Sequence, residues 1–164
     1  MKKVILFSVV LATMLFLINS CTKNTKTELT DEQKAIIQKE VKEETTKLVS
    51  TRSQLNFDTY KVFFSEDQFR SAILTVGYLP TYSAWKDTLT VSFAQRTQAK
   101  TELQDVRVTV LAKDLAIVTT LENWENWYKN GNTSKSRGFT SIIWKKEQNN
   151  WKIIYYHQSE QSNK

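Results

Sequence analysis

The sequence has few of the residues that build disulfides, metal clusters and interdomain linkers. It contains one cysteine, one histidine, one proline and three glycines among 164 residues. A single cysteine excludes a disulfide within the chain, and one cysteine with one distant histidine gives no zinc-ligand spacing. Scarce proline and glycine argue against several domains joined by flexible linkers. We therefore expect one domain that holds no metal and no other cofactor.

The only cysteine ends an apolar segment at the start of the chain. The basic pair Lys2-Lys3 precedes the apolar run 4–18, which leads through Asn19-Ser20 to Cys21. The run is too short for a membrane span and has the flanks of a secretory signal peptide. Its last five residues, LINSC, resemble a bacterial lipobox, in which cleavage leaves a lipidated cysteine at the N-terminus. The alternative is an ordinary signal peptide with an incidental cysteine.

This interpretation divides the chain into four parts. We expect a lipoprotein signal peptide at 1–20, a polar tether at 21–29, one domain at 30–160 and a short tail at 161–164. The membrane is then the first partner, reached through the lipid on Cys21. In the lipoprotein resemblance, an aspartate after the cysteine retains some proteins at the inner membrane. Thr22 stands there instead, which favours the outer membrane of the bacterial cell envelope.

The net charge argues against nucleic acid as a partner. Removal of Lys2 and Lys3 with the signal peptide lowers the formal charge from +6 to +4, since residues 1–20 carry no acid. Lysine and glutamate alternate along the remaining chain without a basic cluster, which a nucleic-acid interface requires.

The first half of the domain has helical periodicity. Thr30 and Gln33 have capping-box spacing, and a long helix follows with its apolar residues on one face. Those residues are Ile37, Val41, Leu48 and Leu55. Asp58 is predicted to cap a second, short helix. Residues 69–76 are predicted to form a short strand or an irregular segment. Pro80 suits the first turn of a third amphipathic helix.

The second half alternates with a period of two residues, which is typical of strands. We predict strands over 103–111, 115–127, 138–146 and 151–159, joined by turns at Lys113-Asp114 and 148–150 and by a loop at 129–136. Helices followed by an antiparallel meander indicate an α+β fold, with a curved sheet packed against the helices.

The end of the chain carries a family resemblance. Residues 141–146 and 151–159, SIIWKK and WKIIYYHQS, flank a polar turn, with a tryptophan opening the last strand and a histidine two residues before a serine. Residues 30–160 thereby resemble the nuclear-transport-factor-2-like (NTF2-like) superfamily, and within it the SnoaL-like and DUF4440 domains. The resemblance implies a cone-shaped, strongly curved antiparallel sheet, a roll wrapped around the N-terminal helices, with a pocket at its open end. It also implies a homodimer through the convex side of the sheet. Since members include enzymes, ligand-binding domains and assembly domains, the fold alone does not decide the function.

His157 is the first candidate site residue. Simple alternation places it on one face with Trp151, Ile153 and Tyr155. It is either a hydrogen-bond donor or acid–base group at the pocket mouth, or a half-buried histidine at a strand or dimer contact. Asp58 is the only aspartate near a predicted pocket element, and capping explains it equally well.

A second group of candidates is aromatic and acidic. Glu122 and Trp124 share a strand face and are expected to bind a ligand, unless the tryptophan packs in the core or at a dimer interface. Glu122 or Glu125 is also placed to pair with Arg137 across the hairpin. The remaining ligand-binding candidates are Tyr155 and three aromatic residues around Pro80, namely Tyr78, Tyr82 and Trp85. At helical spacing such aromatic residues are core residues more often than ligand contacts.

The sequence therefore favours a membrane-anchored, non-catalytic domain. We expect it to bind a small apolar or amphipathic ligand or to act as a dimeric assembly module. One alternative is a small isomerase or dehydratase that uses His157 in the cone pocket. Another is a structural envelope lipoprotein whose pocket is filled by its own aromatic side chains.

Overall fold

A computed structural model describes residues 28–161, which form three helices and one six-stranded sheet. The helices are α1 (Asp31–Ser53), α2 (Phe57–Lys61) and α3 (Tyr82–Ala94). The strands are β1 (Ser71–Leu74), β2 (Gly77–Leu79), β3 (Arg96–Ala112), β4 (Leu115–Tyr128), β5 (Thr133–Glu147) and β6 (Asn150–Gln161). The predicted signal peptide, Cys21 and most of the tether lie outside the described residues. Within them, no helix is both long and apolar enough to cross a membrane.

Helix α1 begins and packs as its sequence predicts. Thr30 accepts a hydrogen bond from the backbone of Gln33, and the Gln33 side chain accepts one from the backbone of Thr30. This reciprocal capping box satisfies two backbone donors that the helix start would leave free. Val41 and Leu48 are buried on the face turned to the sheet. Leu55 lies beyond the helix end, where it has a positive φ of 54°.

The caps of the two shorter helices differ from the prediction. Asn56, not Asp58, caps α2, because the Asn56 side chain accepts a hydrogen bond from the backbone of Thr59. Asp58 lies in the first turn with its side chain exposed. Helix α3 is capped by Thr81, so Pro80 precedes the cap and does not begin the helix. The predictions for Asp58 as a cap and Pro80 as a first-turn residue are corrected accordingly.

The sheet has the strand order β2-β1-β6-β5-β4-β3. Strands β3 to β6 form the predicted antiparallel meander, with each strand longer than the alternating pattern indicated. Strand β1 pairs antiparallel with β2 and parallel with β6. The predicted single segment before Gly77 is therefore one strand of a hairpin. The α+β class with a curved, open sheet is confirmed.

A β-bulge in β6 reverses the faces of its last residues. Ile153 pairs with Trp144 and Tyr155 pairs with Ile143, so Ile154 is an extra residue in the strand. A bulge of this kind shifts the alternation of side chains by one position. Ile153 and Tyr156 are consequently both buried. His157 lies on the opposite face, which corrects its predicted position beside Ile153.

Aromatic side chains fill most of the space between the helices and the sheet. Trp85 of α3 is fully buried and contacts Phe57, Tyr60 and Phe64, with the centroid of the Phe64 ring 4.0 Å from that of the indole. Phe93 packs against Tyr60 at the other end of this cluster. The interior therefore retains only a small open volume.

Candidate functional site

A cavity of about 80 Å³ remains at the open end of the cone. It lies among the C-terminal end of α1, helix α2, the β1–β2 hairpin, helix α3, the start of β3 and the part of β6 after the bulge. Its lining residues are Arg52, Tyr60, Leu74, Thr75, Val76, Thr88, Leu89, Ser92, Phe93, Arg96, Tyr156 and Gln158. This cavity is the candidate site.

Arg52 enters the cavity from the last turn of α1. Its Nη1 donates to Oε2 of Glu122 at 3.2 Å, and its Nη2 donates to Oε1 of Gln158 at 3.4 Å. The guanidinium also lies over the Trp124 indole, 5.1 Å from the ring centroid, a distance at which a cation is attracted to the ring face. Desolvation opposes the charge, but the interactions that favour it, among them the one with the Glu122 carboxylate, outweigh desolvation and raise the pKa of Arg52.

Glu122 holds Arg52 from behind the cavity wall. Its residue is 1% exposed. Its carboxylate accepts hydrogen bonds from Trp124 Nε1 at 2.7 Å and from Thr120 Oγ1 at 2.5 Å, in addition to the Arg52 bond. All three partners are donors, and together they hold the carboxylate in one orientation. Glu122 thus serves to position Arg52.

Gly138 gives Trp124 room for this contact. It pairs with Glu122 across β4 and β5, and the Trp124 indole lies directly against it. A methyl group added at Gly138 would overlap the indole and the Ser159 carbonyl. The φ of Gly138 is not positive, so close approach rather than backbone conformation requires glycine here.

Two buried tyrosines supply neutral hydroxyl groups at the cavity. Burial raises the pKa of Tyr60 well above its usual range, and Tyr156 adds to the rise. Burial also raises the pKa of Tyr156, against the opposing effect of Arg52. Both phenols therefore remain protonated near neutral pH and are able to donate hydrogen bonds.

Arg96 brings a second guanidinium to the cavity from the first position of β3. Its Nε is buried and has no hydrogen-bond partner among the residues that the structure describes. Burial lowers the pKa of Arg96, and the neighbouring charge of Arg52 lowers it further. Arginine nevertheless remains protonated in proteins. The cavity thus carries the positive charge of Arg96 beside the Arg52–Glu122 pair, whose two charges cancel.

The family follows from comparison with known proteins. Residues 41–162 match the SnoaL-like domain model. The chain belongs to the SnoaL-like domain family. This match confirms the resemblance to the NTF2-like superfamily that the C-terminal motif suggested. Among curated proteins, none matches the chain significantly.

Solved structures share the fold of this SnoaL-like domain. A protein from Novosphingobium aromaticivorans, provisionally named a scytalone dehydratase, has a TM-score of 0.73 and 10% identity over 81% of this chain and 89% of its own. An NTF2-like superfamily protein from Salmonella enterica has a TM-score of 0.65 and 17% identity, with 82% and 95% covered. The association domain of C. elegans CaMKII has a TM-score of 0.61 and 18% identity, with 79% and 99% covered. At these identities the comparisons show the fold alone.

The structure separates the predicted site residues of the SnoaL-like domain into two groups. Glu122 and Trp124 support the cavity through Arg52, as described above. Tyr155 and His157 lie on the outer face of β6, because the bulge turns Tyr156 and Gln158 inward in their place. The acid–base group predicted for the pocket mouth is therefore not at the cavity.

The other candidates also lie apart from the cavity lining. Trp85 is in the aromatic core, and Tyr82 packs against it with 5.3 Å between ring centroids. Tyr78 is 64% exposed on β2. Asp58 is exposed and pairs with Lys61 at 2.5 Å.

The expected cross-hairpin pairing is also different. Arg137 is exposed opposite Asn123, and Glu125 pairs with Lys135 instead. Glu122 forms its ion pair with Arg52 of α1, which lies 70 residues earlier in the chain.

The sequence analysis missed the two arginines and two tyrosines of the cavity, Arg52, Arg96, Tyr60 and Tyr156. A signal for Arg52 exists, since it follows Leu48 by four residues and so lies on the apolar face of α1. A charged residue on a buried face calls for a buried partner. Arg96 and Tyr156 carry no such local signal. Within residues 28–161, no cluster of three histidine, cysteine, aspartate or glutamate side chains is arranged to hold a metal ion.

Proposed function

We propose that this SnoaL-like domain is a lipid-anchored envelope protein that binds a small amphipathic molecule in the cone cavity and does not catalyse a reaction on it. The cavity carries this proposal, because it combines polar and apolar walls. Arg52 and Arg96 supply polar surface, and Leu74, Leu89 and Phe93 supply apolar surface. A few convergent polar groups within an otherwise apolar concavity are typical of small-molecule sites.

The arrangement of ionisable groups favours binding over catalysis. An isomerase or dehydratase that begins with proton abstraction needs a general base within hydrogen-bond reach of its substrate, and the raised pKa values of Tyr60 and Tyr156 make these phenols poor bases. The lining contains two guanidinium groups and two phenols, but no carboxylate and no imidazole among the described residues. Glu122 accepts three hydrogen bonds behind the wall, and His157 lies on the outer face. The alternative of an enzyme that uses His157 in the cavity therefore has no support from this geometry.

Anchoring at the membrane completes the proposal. The lipobox-like residues that end at Cys21 support cleavage and lipidation there, and Thr22 supports the outer membrane. Stable anchoring needs more than one acyl chain. A lipoprotein cysteine carries more than one. The polar residues after Cys21 would hold the domain away from the bilayer.

Native mass spectrometry of the full chain, purified from its own host, tests the ligand-binding role. We expect the wild-type protein to retain a small molecule. Ser92→Phe places a ring in the cavity and should abolish retention, whereas Thr90→Phe changes an exposed residue on the same helix and should not. Wild-type protein free of any ligand, or equal retention by Ser92→Phe, would contradict the proposal.

A second function, dimeric assembly, is favoured by the outer face of the sheet. Phe139 of β5 is 53% exposed, and its cross-strand neighbour is Leu121. Ile117 and Ile143 pair on the same face, four residues further along each strand. Neighbours of this fold include an association domain. We infer that a second copy of the chain covers this apolar strip.

Sedimentation of the full chain in detergent tests this assembly. Phe139→Asp should convert a dimer to a monomer, because it buries a charge at the interface. Ile36→Asp, which changes an equally exposed apolar residue on α1, should leave the dimer intact. A wild-type monomer would rule out the dimer.

A further inference from the structure

We propose that the cavity recognises the carboxylate of a small organic acid and that Arg96 is the main ion partner of that carboxylate. The inference rests on the proposed ligand-binding function and specifies the chemical class of the ligand. An anionic ligand is the opposite of what Glu122 alone suggests, since a carboxylate at a pocket favours a cationic ligand.

The charges around the cavity carry the first step. Glu122 neutralises Arg52 and also accepts hydrogen bonds from Trp124 and Thr120. Arg96 is in none of the salt bridges among the described residues, and its cross-strand neighbour Tyr128 is not a carboxylate. The net charge of Arg52, Glu122 and Arg96 together is therefore that of one guanidinium. A ligand with one negative charge would balance it.

Unsatisfied donors carry the second step. The Nε of Arg96 is buried without a hydrogen-bond partner, and a buried polar group in that state destabilises the fold. The only hydrogen bond that the Tyr156 hydroxyl donates within the described residues goes to Gln158, at a long 3.4 Å. A carboxylate has two oxygens and accepts several hydrogen bonds at once, including a pair from one guanidinium. It would satisfy Arg96 and accept from a phenol in the same small volume.

The size and the apolar wall carry the third step. A volume of about 80 Å³ is well below the roughly 300 Å³ at which drug-sized pockets begin. Leu74, Leu89 and Phe93 also line the cavity, so an apolar body of a few carbons has apolar contacts there beside the carboxylate. Inorganic phosphate has no apolar part, and its second charge would lack a partner. An organic monocarboxylic acid matches both walls.

Titration calorimetry on the full chain in detergent tests the inference with matched probes. The probes are butyrate, its neutral isostere butyramide, and inorganic phosphate. We expect butyrate to bind about tenfold or more tightly than butyramide, since hydrogen bonds to charged groups are the stronger kind. Phosphate should bind more weakly than butyrate.

Variants of Arg96 show whether that residue is the partner. Arg96→Gln should weaken butyrate binding about tenfold or more. Arg96→Lys keeps the charge but loses the paired N–H donors of the guanidinium, so it should bind butyrate with intermediate affinity. Arg137→Gln removes an exposed arginine outside the cavity and should bind as the wild type does. Without ligand, Arg96→Gln should melt at the same temperature as the wild type or higher, because it removes a half-buried charge that has no counter-charge. This readout shows that a loss of binding is not a loss of folding.

The outcomes distinguish this inference from the function on which it rests. Equal binding of butyrate and butyramide, tighter binding of phosphate, or unchanged binding by Arg96→Gln would each overturn the carboxylate assignment. If a neutral molecule is retained by the wild type but not by Ser92→Phe, the assignment fails while the ligand-binding function stands. If no probe binds and no molecule is retained, both fail.

Discussion

Glu122 and Arg52 form the most deeply buried ion pair among the described residues, with side-chain exposures of 2% and 12%. Removing two charges from water is costly, and their attraction offsets that cost only when further hydrogen bonds satisfy both groups. Trp124, Thr120 and Gln158 supply those bonds. The pair therefore fixes the orientation of the Arg52 guanidinium at the cavity and leaves the charge of Arg96 without a counter-charge.

Replacing Glu122 by glutamine should destabilise the domain strongly. Glu122→Gln leaves Arg52 buried without a counter-charge, and breaking a buried pair in this way costs about 3–5 kcal/mol. The measurement is urea unfolding at neutral pH. Glu125→Gln is the matched control on the same strand, because Glu125 pairs with the exposed Lys135, and such surface pairs contribute below about 1 kcal/mol. Similar losses in both variants would show that the Glu122 pair has no special weight.

Glu40 gives the fold a small dependence on acid. Its carboxylate accepts hydrogen bonds from Lys146 Nζ and Trp151 Nε1, each at 2.8 Å, and these bonds lower its pKa. A carboxyl group whose pKa is lower in the folded state contributes stability above its unfolded pKa and loses it as the pH falls through the folded value. Because the Glu40 side chain is 39% exposed and solvent screens the interaction, we expect less than about 1 kcal/mol.

Comparison of the wild type with Glu40→Gln measures this contribution. The difference in the free energy of unfolding should be largest near neutral pH and should vanish below the folded pKa. A difference that persists unchanged at low pH would assign the effect to packing of the side chain and not to its charge.

At the scale of single elements, local sequence rules predicted what depends on neighbours along the chain. The Thr30–Gln33 capping box and the turn at Lys113-Asp114 depend on a few adjacent residues, and both are present. The bulge at Ile154 depends on how β6 pairs with β5, which alternation within β6 does not reveal. Because of the one extra residue there, Tyr156 and Gln158 face the cavity and His157 does not.

Strand β5 needs glycine at position 138 because the Trp124 indole lies against it. Gly138→Ala adds a methyl group where the Trp124 indole and the Ser159 carbonyl already lie. Overpacking of this kind costs about 1–3 kcal/mol, and displacement of the indole also withdraws its hydrogen bond from Glu122. We therefore expect a lower urea midpoint together with a shift in tryptophan fluorescence.

Ser136→Ala is the control for this change, since Ser136 precedes Gly138 by two residues on the same strand. It should have little effect on either measurement. A stable Gly138→Ala protein with wild-type fluorescence would show that Trp124 does not depend on this contact.

At the scale of the whole molecule, the site is assembled from distant parts of the chain. Arg52 meets Glu122 across 70 residues and Gln158 across 106. The family resemblance supplied the cone and its open end, because a motif in the last two strands carries the fold. It could not supply the side chains of the cavity, because those depend on which residues of α1, β3 and β6 meet in this particular chain.

The lipid anchor is the remaining part of the whole-molecule proposal, and metabolic labelling tests it directly. Cys21 is the only thiol in the chain, so thioether lipidation has a single site. Cells fed an alkyne analogue of palmitate should label the wild-type protein and Thr22→Ser, and should not label Cys21→Ser. Labelling is the decisive readout, because an uncleaved signal peptide in Cys21→Ser could itself hold the chain at the membrane. Absence of label on the wild type, or label that persists in Cys21→Ser, would contradict the anchor and leave the cavity proposals unaffected, since these depend only on residues 28–161.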